Sequence, residues 1–177
     1  MLRSWANLLT LLRLLAAQLL VWLLLNEDWW LAAITLFIAI LSDIFDGKIA
    51  RKMNQATAFG GLFDHATDAV FVSSAAWALA QLGFINDLLW ALIVLAFVQY
   101  TLDSKALSGQ VLRSSKLGRY NGIAYFVLIC LCVGFQCLPL RLLNPVLPWA
   151  AWALVATSLL SMSDRFYSLV RRNSQSQ

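Results

Sequence analysis

Charge is scarce in this chain: Asp, Glu, Lys and Arg make up 12% of its 177 residues, while 61% are hydrophobic and the mean hydropathy is +0.74. Soluble domains carry about twice that charged fraction, so the composition excludes a soluble globular class and a disordered one. Cysteine is scarce too. Cys130, Cys132 and Cys137 share one apolar stretch without a His or Cys at metal spacing, which reads as packed thiols and excludes a disulfide framework. Segments of alternating polarity are missing, which argues against a transmembrane barrel. The 13 basic residues are scattered at the ends of apolar runs and form no compact basic patch, so no nucleic-acid partner is implied.

What remains is a series of continuous Leu-, Ala- and Trp-rich runs. They predict an all-α polytopic membrane protein with six transmembrane helices, near Asn7–Leu25, Trp29–Lys52, Leu62–Leu82, Leu88–Leu102, Arg119–Leu138 and Leu142–Met162. The first run lacks a small-residue cleavage site and is expected to be retained. With six spans, Lys48, Arg51, Lys52, Lys105, Arg113, Lys116, Arg119 and the basic residues near both termini fall on one side, and only Arg141 on the other. The positive-inside rule then makes both termini cytoplasmic. Residues 1–177 read as one domain, with a polar tail from Arg171 to Gln177 expected to fray. Trp29, Trp30, Trp149 and Trp152 have the chemistry of interface anchors.

Four acids break the apolar pattern. Asp43 follows 14 uncharged residues, Trp29–Ser42, and at ~1.5 Å per residue lies about 21 Å into a ~30 Å core. Counting back from Leu82, Asp68 reaches nearly the same depth on the third span. Asp46 and Asp64 each lie one turn nearer the cytoplasm, so antiparallel neighbours would level two carboxylates with two others. Ionised carboxylates at that depth require cations, and an oxygen-rich set suits Mg²⁺, Mn²⁺ or Ca²⁺. A second reading stays open at this point: the acids pair with Arg13, Lys48 and Arg51, or line a proton path. Gly47, Ala50 and Gly60 alternate with the acids and leave space along the same face, which with Arg51 suggests a slot for a metal-bound phosphate compound.

These residues spell Asp43-x2-Asp46-Gly47-x2-Ala50-Arg51-x8-Gly60-x3-Asp64-x3-Asp68, which resembles the signature of the CDP-alcohol phosphatidyltransferase family at all eight fixed positions. The signature occupies residues 43–68, and the order of helices extends the resemblance over most of the chain. The resemblance implies transfer of a substituted phosphate from a CDP-linked donor to an alcohol, with release of CMP. It also implies Mg²⁺ or Mn²⁺, two ions held by Asp43, Asp46, Asp64 and Asp68, with Asp68 as the base. Gly47, Ala50, Arg51 and Gly60 would make room for the cytidine nucleotide. A homodimer in the bacterial inner membrane, with the site facing the cytoplasm, is the arrangement expected from the family.

The stretch from Asn7 to Arg13 resembles the first span of phosphatidylglycerophosphate synthases, and Ser115-Lys116-Leu117-Gly118-Arg119 resembles the corresponding segment of the glycerophosphate-using members, which implies CDP-diacylglycerol as donor and glycerol 3-phosphate as acceptor. Arg13, Arg113, Lys116 and Arg119 are then candidates to hold the acceptor's phosphate. Phe63-Asp64-His65-x2-Asp68 looks more like the aminoalcohol branch, in which the acceptor is diacylglycerol. His65 is the only histidine. Successive helical side chains point about 100° apart, so it is expected to face away from the carboxylate row and to pack or hydrogen-bond. An ion-coupled carrier could also hold acids at depth, but it has no need of this pattern.

Overall fold

The computed structural model describes residues 2–52, 58–103 and 116–175, with side chains for 12–42, 61–102 and 117–167. The chain is all-helical over these residues, as the apolar runs predict. Its elements are α1 (Leu2–Leu25), α2 (Trp29–Lys52), α3 (Ala58–Gln81), α4 (Leu88–Asp103), α5 (Lys116–Cys137), a 3₁₀ turn at Arg141–Leu143 and α6 (Val146–Gln175). Among the described residues, Leu117–Cys137 and Val146–Tyr167 are long and apolar enough to cross a membrane; Leu12–Leu25, Trp29–Ser42 and Leu88–Leu102 are shorter apolar stretches. The helix bounds differ from the hydropathy spans at their polar ends. Leu142 lies in the 3₁₀ turn, and α6 is helical to Gln175 where the sequence suggests a frayed tail from Arg171.

α1 organises the packing. Ala17, Leu20, Val21 and Leu24 form one buried stripe on it, and Val72, Ala75, Ala76 and Leu79 form another on α3. Spacings of three and four put each set on one helix face, and the two alanines let the backbones approach closely. α2 packs on α1 and α5, α3 on α1, α4 and α5, and α6 on α4 and α5. Among the described residues α3 packs most fully on α1, and α2 on both α1 and α5; Asp43 and Asp46, on which the expected levelling of α2 with α3 rests, have side chains outside the described residues.

Polar ties join the second half of the chain. The Tyr125 and Ser158 hydroxyls are hydrogen-bonded between α5 and α6, and Gln99 donates to the Met162 carbonyl at 2.9 Å between α4 and α6. Such bonds pair buried polar donors where water is absent, although Gln99 Oε1 is left without a hydrogen-bond partner. Leu15, Trp22, Phe37, Leu95 and Trp149 point outward with more than half of their surface exposed, so the outer face is as apolar as the core.

Two turns share one geometry. Asp28 N–H donates to Leu23 and Glu27 N–H to Leu24 at the end of α1; Phe84 and Gly83 donate to Leu79 and Ala80 at the end of α3. Each is a Schellman closure, which puts its penultimate residue in the left-handed region. Gly83 takes φ 78° without a side chain to strain, whereas Glu27 takes φ 59° with one. Asn86 caps α4 by accepting the Leu89 N–H at 3.0 Å.

One tryptophan is not an anchor. Trp29 is buried, edge-on to Phe84 at 5.4 Å, because the tight α1–α2 turn swings it back over the core. Trp30, Trp149 and Trp152 are exposed as expected. The cysteines are free thiols: Cys132 is fully buried, and Cys137 donates to the Trp29 carbonyl.

Candidate active site

Asp64 and Asp68 lie one turn apart on α3, so their carboxylates emerge on the same face. Arg13 approaches from α1, the helix packed most fully against α3. Its Nη1 donates to Asp64 Oδ1 and to Asp68 Oδ1, both at 2.7 Å. The Arg13 side chain is 11% exposed and the carboxylates are 54% and 46% exposed, so the cation is held from behind while the acids open toward solvent. The reading in which these acids pair with Arg13 therefore describes the geometry at this pair. Thr67, between them in sequence, returns its hydroxyl to the Phe63 carbonyl and stays buried.

His65 stands beside the carboxylates and does not face away from them. One ring nitrogen and one oxygen from each of Asp64 and Asp68 all lie within 4.8 Å of one another. The imidazole is long enough to reach across the 100° offset between adjacent helical positions. Its ring stacks on Tyr100 of α4 with centroids 5.9 Å apart, and Arg165 of α6 lies 4.8 Å over the same tyrosine ring. Three helices thus meet at one aromatic platform. Nothing in the sequence pattern marks Tyr100 or Arg165 as site residues. Their only signal there is a polar residue at the end of an apolar helix, which the positive-inside count absorbs.

These groups rim a cavity of about 920 Å³ whose lining includes Arg13, His65, Asp68, Tyr100, Arg119 and Arg165. Its deeper wall is apolar, with Ile40, Phe71, Val72 and Phe97 among the lining residues. Arg119 and Arg165, beyond the Arg13 that Asp64 and Asp68 share, favour an anion at the polar end, and the apolar wall suits an acyl or other hydrocarbon portion. The volume is in the range of cofactor and substrate sites.

The donor set fits a hard divalent cation: two carboxylate oxygens and one imidazole nitrogen, close together and partly open. Arg119, an expected phosphate ligand, lines the cavity. Asp43, Asp46, Gly47, Ala50, Arg51, Gly60 and Lys116 lie on helices, but nothing beyond their helical backbone is described; Arg113 lies outside the described residues altogether.

The CDP-alcohol phosphatidyltransferase family profile matches residues 3–158. Over 96 residues the chain is 33% identical to a cardiolipin synthase (CMP-forming) of Streptomyces coelicolor, covering 50% of this chain and 43% of that protein. It is 28% identical over 139 residues to the CDP-diacylglycerol–glycerol-3-phosphate 3-phosphatidyltransferase of Bacillus subtilis, covering 76% and 70% of the two chains. A phosphatidylinositol phosphate synthase of Mycolicibacterium smegmatis is 28% identical over 153 residues, covering 81% and 67%. The chain thus spans less than half the length of the Streptomyces relative.

Proposed function

The chain belongs to the CDP-alcohol phosphatidyltransferase family, and from that premise we propose that it moves a phosphatidyl group from CDP-diacylglycerol to a phosphorylated alcohol such as glycerol 3-phosphate, releasing CMP. The observation that carries this reading is Asp68, tied to Asp64 through Arg13, on a cavity lined also by Arg119 and Arg165 and walled by apolar side chains. A CDP-lipid needs such a division, with anionic diphosphate at one end and hydrocarbon at the other. The name of the Bacillus relative favours this donor over the aminoalcohol branch.

In this reading six helices span the bacterial inner membrane, both termini are cytoplasmic, and the chain pairs as a homodimer. The outward apolar residues support the membrane placement. Asp43, Asp46, Asp64 and Asp68 hold Mg²⁺ or Mn²⁺, and Gly47, Ala50, Arg51 and Gly60 accommodate the cytidine nucleotide. A bound divalent ion supplies positive charge that offsets the diphosphate and the departing CMP oxygen. The Asp68 carboxylate takes the proton from the acceptor hydroxyl. The freed oxygen attacks the lipid-bearing phosphorus, the bond from that phosphorus to the CMP oxygen breaks, and CMP leaves with the electron pair. Arg119 and Arg165, with Lys116 and Arg113, hold the acceptor's own phosphate by charge-assisted hydrogen bonds. His65 stacks on Tyr100 and flanks the acids.

A panel of acceptors tests the proposal. Glycerol 3-phosphate, inositol phosphate, serine and phosphatidylglycerol are offered with CDP-diacylglycerol, and both CMP and lipid product are scored. A phosphorylated acceptor is expected to give both. CMP and lipid formed only with serine would reject the phosphate role of the arginines.

A further inference from the structure

A single nitrogen, Arg13 Nη1, bridges Asp64 Oδ1 and Asp68 Oδ1 at 2.7 Å each, in the space where a cation shared by the two carboxylates would lie. A hard divalent ion takes carboxylate oxygens at roughly 2.0–2.6 Å, so an ion using the same two oxygens would lie within a few ångströms of the guanidinium. Two like charges at that separation repel. The α1 backbone cannot withdraw, since Ala17, Leu20 and Val21 lock it in the core one to two turns further along. The side chain has room to turn, because Arg13 itself lines the cavity. There an oxyanion offers it a partner equivalent to the carboxylates it leaves.

We infer that Arg13 is the resident counter-ion of the Asp64–Asp68 pair, opposing the divalent metal and favouring the anionic donor, so that metal held at this pair and diphosphate depend on each other. The inference rests on the reading that these acids ligate a metal. It gives Arg13 a role distinct from the acceptor-phosphate site around Arg119: it acts as a positioning residue that moves between carboxylate and diphosphate.

The two arms of the test have opposite signs. Full-length protein in detergent is titrated with Mn²⁺ alone, followed by electron paramagnetic resonance. Binding of cytidine diphosphate is measured separately at saturating Mn²⁺ by equilibrium dialysis. Arg13→Gln is expected to bind Mn²⁺ at least ~10-fold more tightly than the parent and cytidine diphosphate at least ~5-fold more weakly. Arg13→Lys, which keeps the charge, should stay within about threefold of the parent for Mn²⁺. Unchanged or weaker Mn²⁺ binding by a folded Arg13→Gln protein would overturn the inference. If the glutamine variant does not fold, Arg13→Met is read by the same criteria. Undiminished Mn²⁺ binding by the double variant D64N/D68N would instead remove the ligand assignment itself, and the inference with it.

Discussion

Replacing Asp68 by asparagine separates charge and basicity from shape. The amide has the size of the carboxylate, and its Oδ1 can still accept from Arg13 Nη1, now at 2.7 Å. The contact between α1 and α3 is therefore retained. What disappears is one unit of negative charge and nearly all capacity to take a proton from the acceptor. General-base assistance is worth ~10²–10⁴-fold, so kcat should fall at least ~10²-fold, about 2.7 kcal/mol on the barrier. The KM for CDP-diacylglycerol should change less, because Asp64 and the remaining acids still act on the donor. Initial rates of CMP release, with metal saturating and each substrate varied in turn, give the two constants separately. Asp64→Asn should show the complementary pattern, with the metal requirement and donor KM rising together. His65→Ala removes one candidate metal ligand but neither carboxylate, and is expected to stay within about tenfold of the parent. Normal turnover by Asp68→Asn with a dead His65→Ala would make the histidine the proton acceptor and refute the assignment.

Excess EDTA should abolish CMP release, and Mg²⁺ or Mn²⁺ should restore it; full turnover in chelator would contradict a metal role for the acids. Tyr100→Leu removes the ring between His65 and Arg165, and since a cation–π contact is worth ~0.5–2 kcal/mol, acceptor KM should rise about 2- to 30-fold, with Tyr100→Phe near the parent. Glu27→Gly should stabilise the protein by ~0.5–1 kcal/mol, because the residue sits at φ 59°, and Gly83→Ala should destabilise it by a similar amount at φ 78°. Thermal melting in detergent reads both, and a lower melting temperature for Glu27→Gly would refute the strain argument. Introduced cysteines replacing Ser108 and Asp87 should label from the cytoplasmic and the outer side respectively, and the reverse pattern would invert the topology.

Helix identity was legible because apolar runs and their charged ends follow the same physics in sequence and in structure. The pairing of Asp64 with Asp68 was legible for a similar reason: a spacing of four is local geometry. Trp29 was not, since its burial depends on a turn in which Glu27 adopts a left-handed conformation that glutamate rarely takes. Tyr100 and Arg165 come from α4 and α6, and no spacing within one helix could bring them to His65. Arg13 was placed near the site but between two roles, and only the packing of α1 on α3 gives it the carboxylates as partners.

The central claim is transfer of a phosphatidyl group, and the fate of the phosphorus tests it most directly. CDP-diacylglycerol labelled with ³²P in the phosphate next to the lipid is incubated with purified protein, Mg²⁺ and glycerol 3-phosphate. The account predicts that the label stays in a new lipid product while unlabelled CMP appears in equal amount. Label released as phosphatidic acid irrespective of acceptor would make the protein a hydrolase, and no CMP from any acceptor would contradict the account outright.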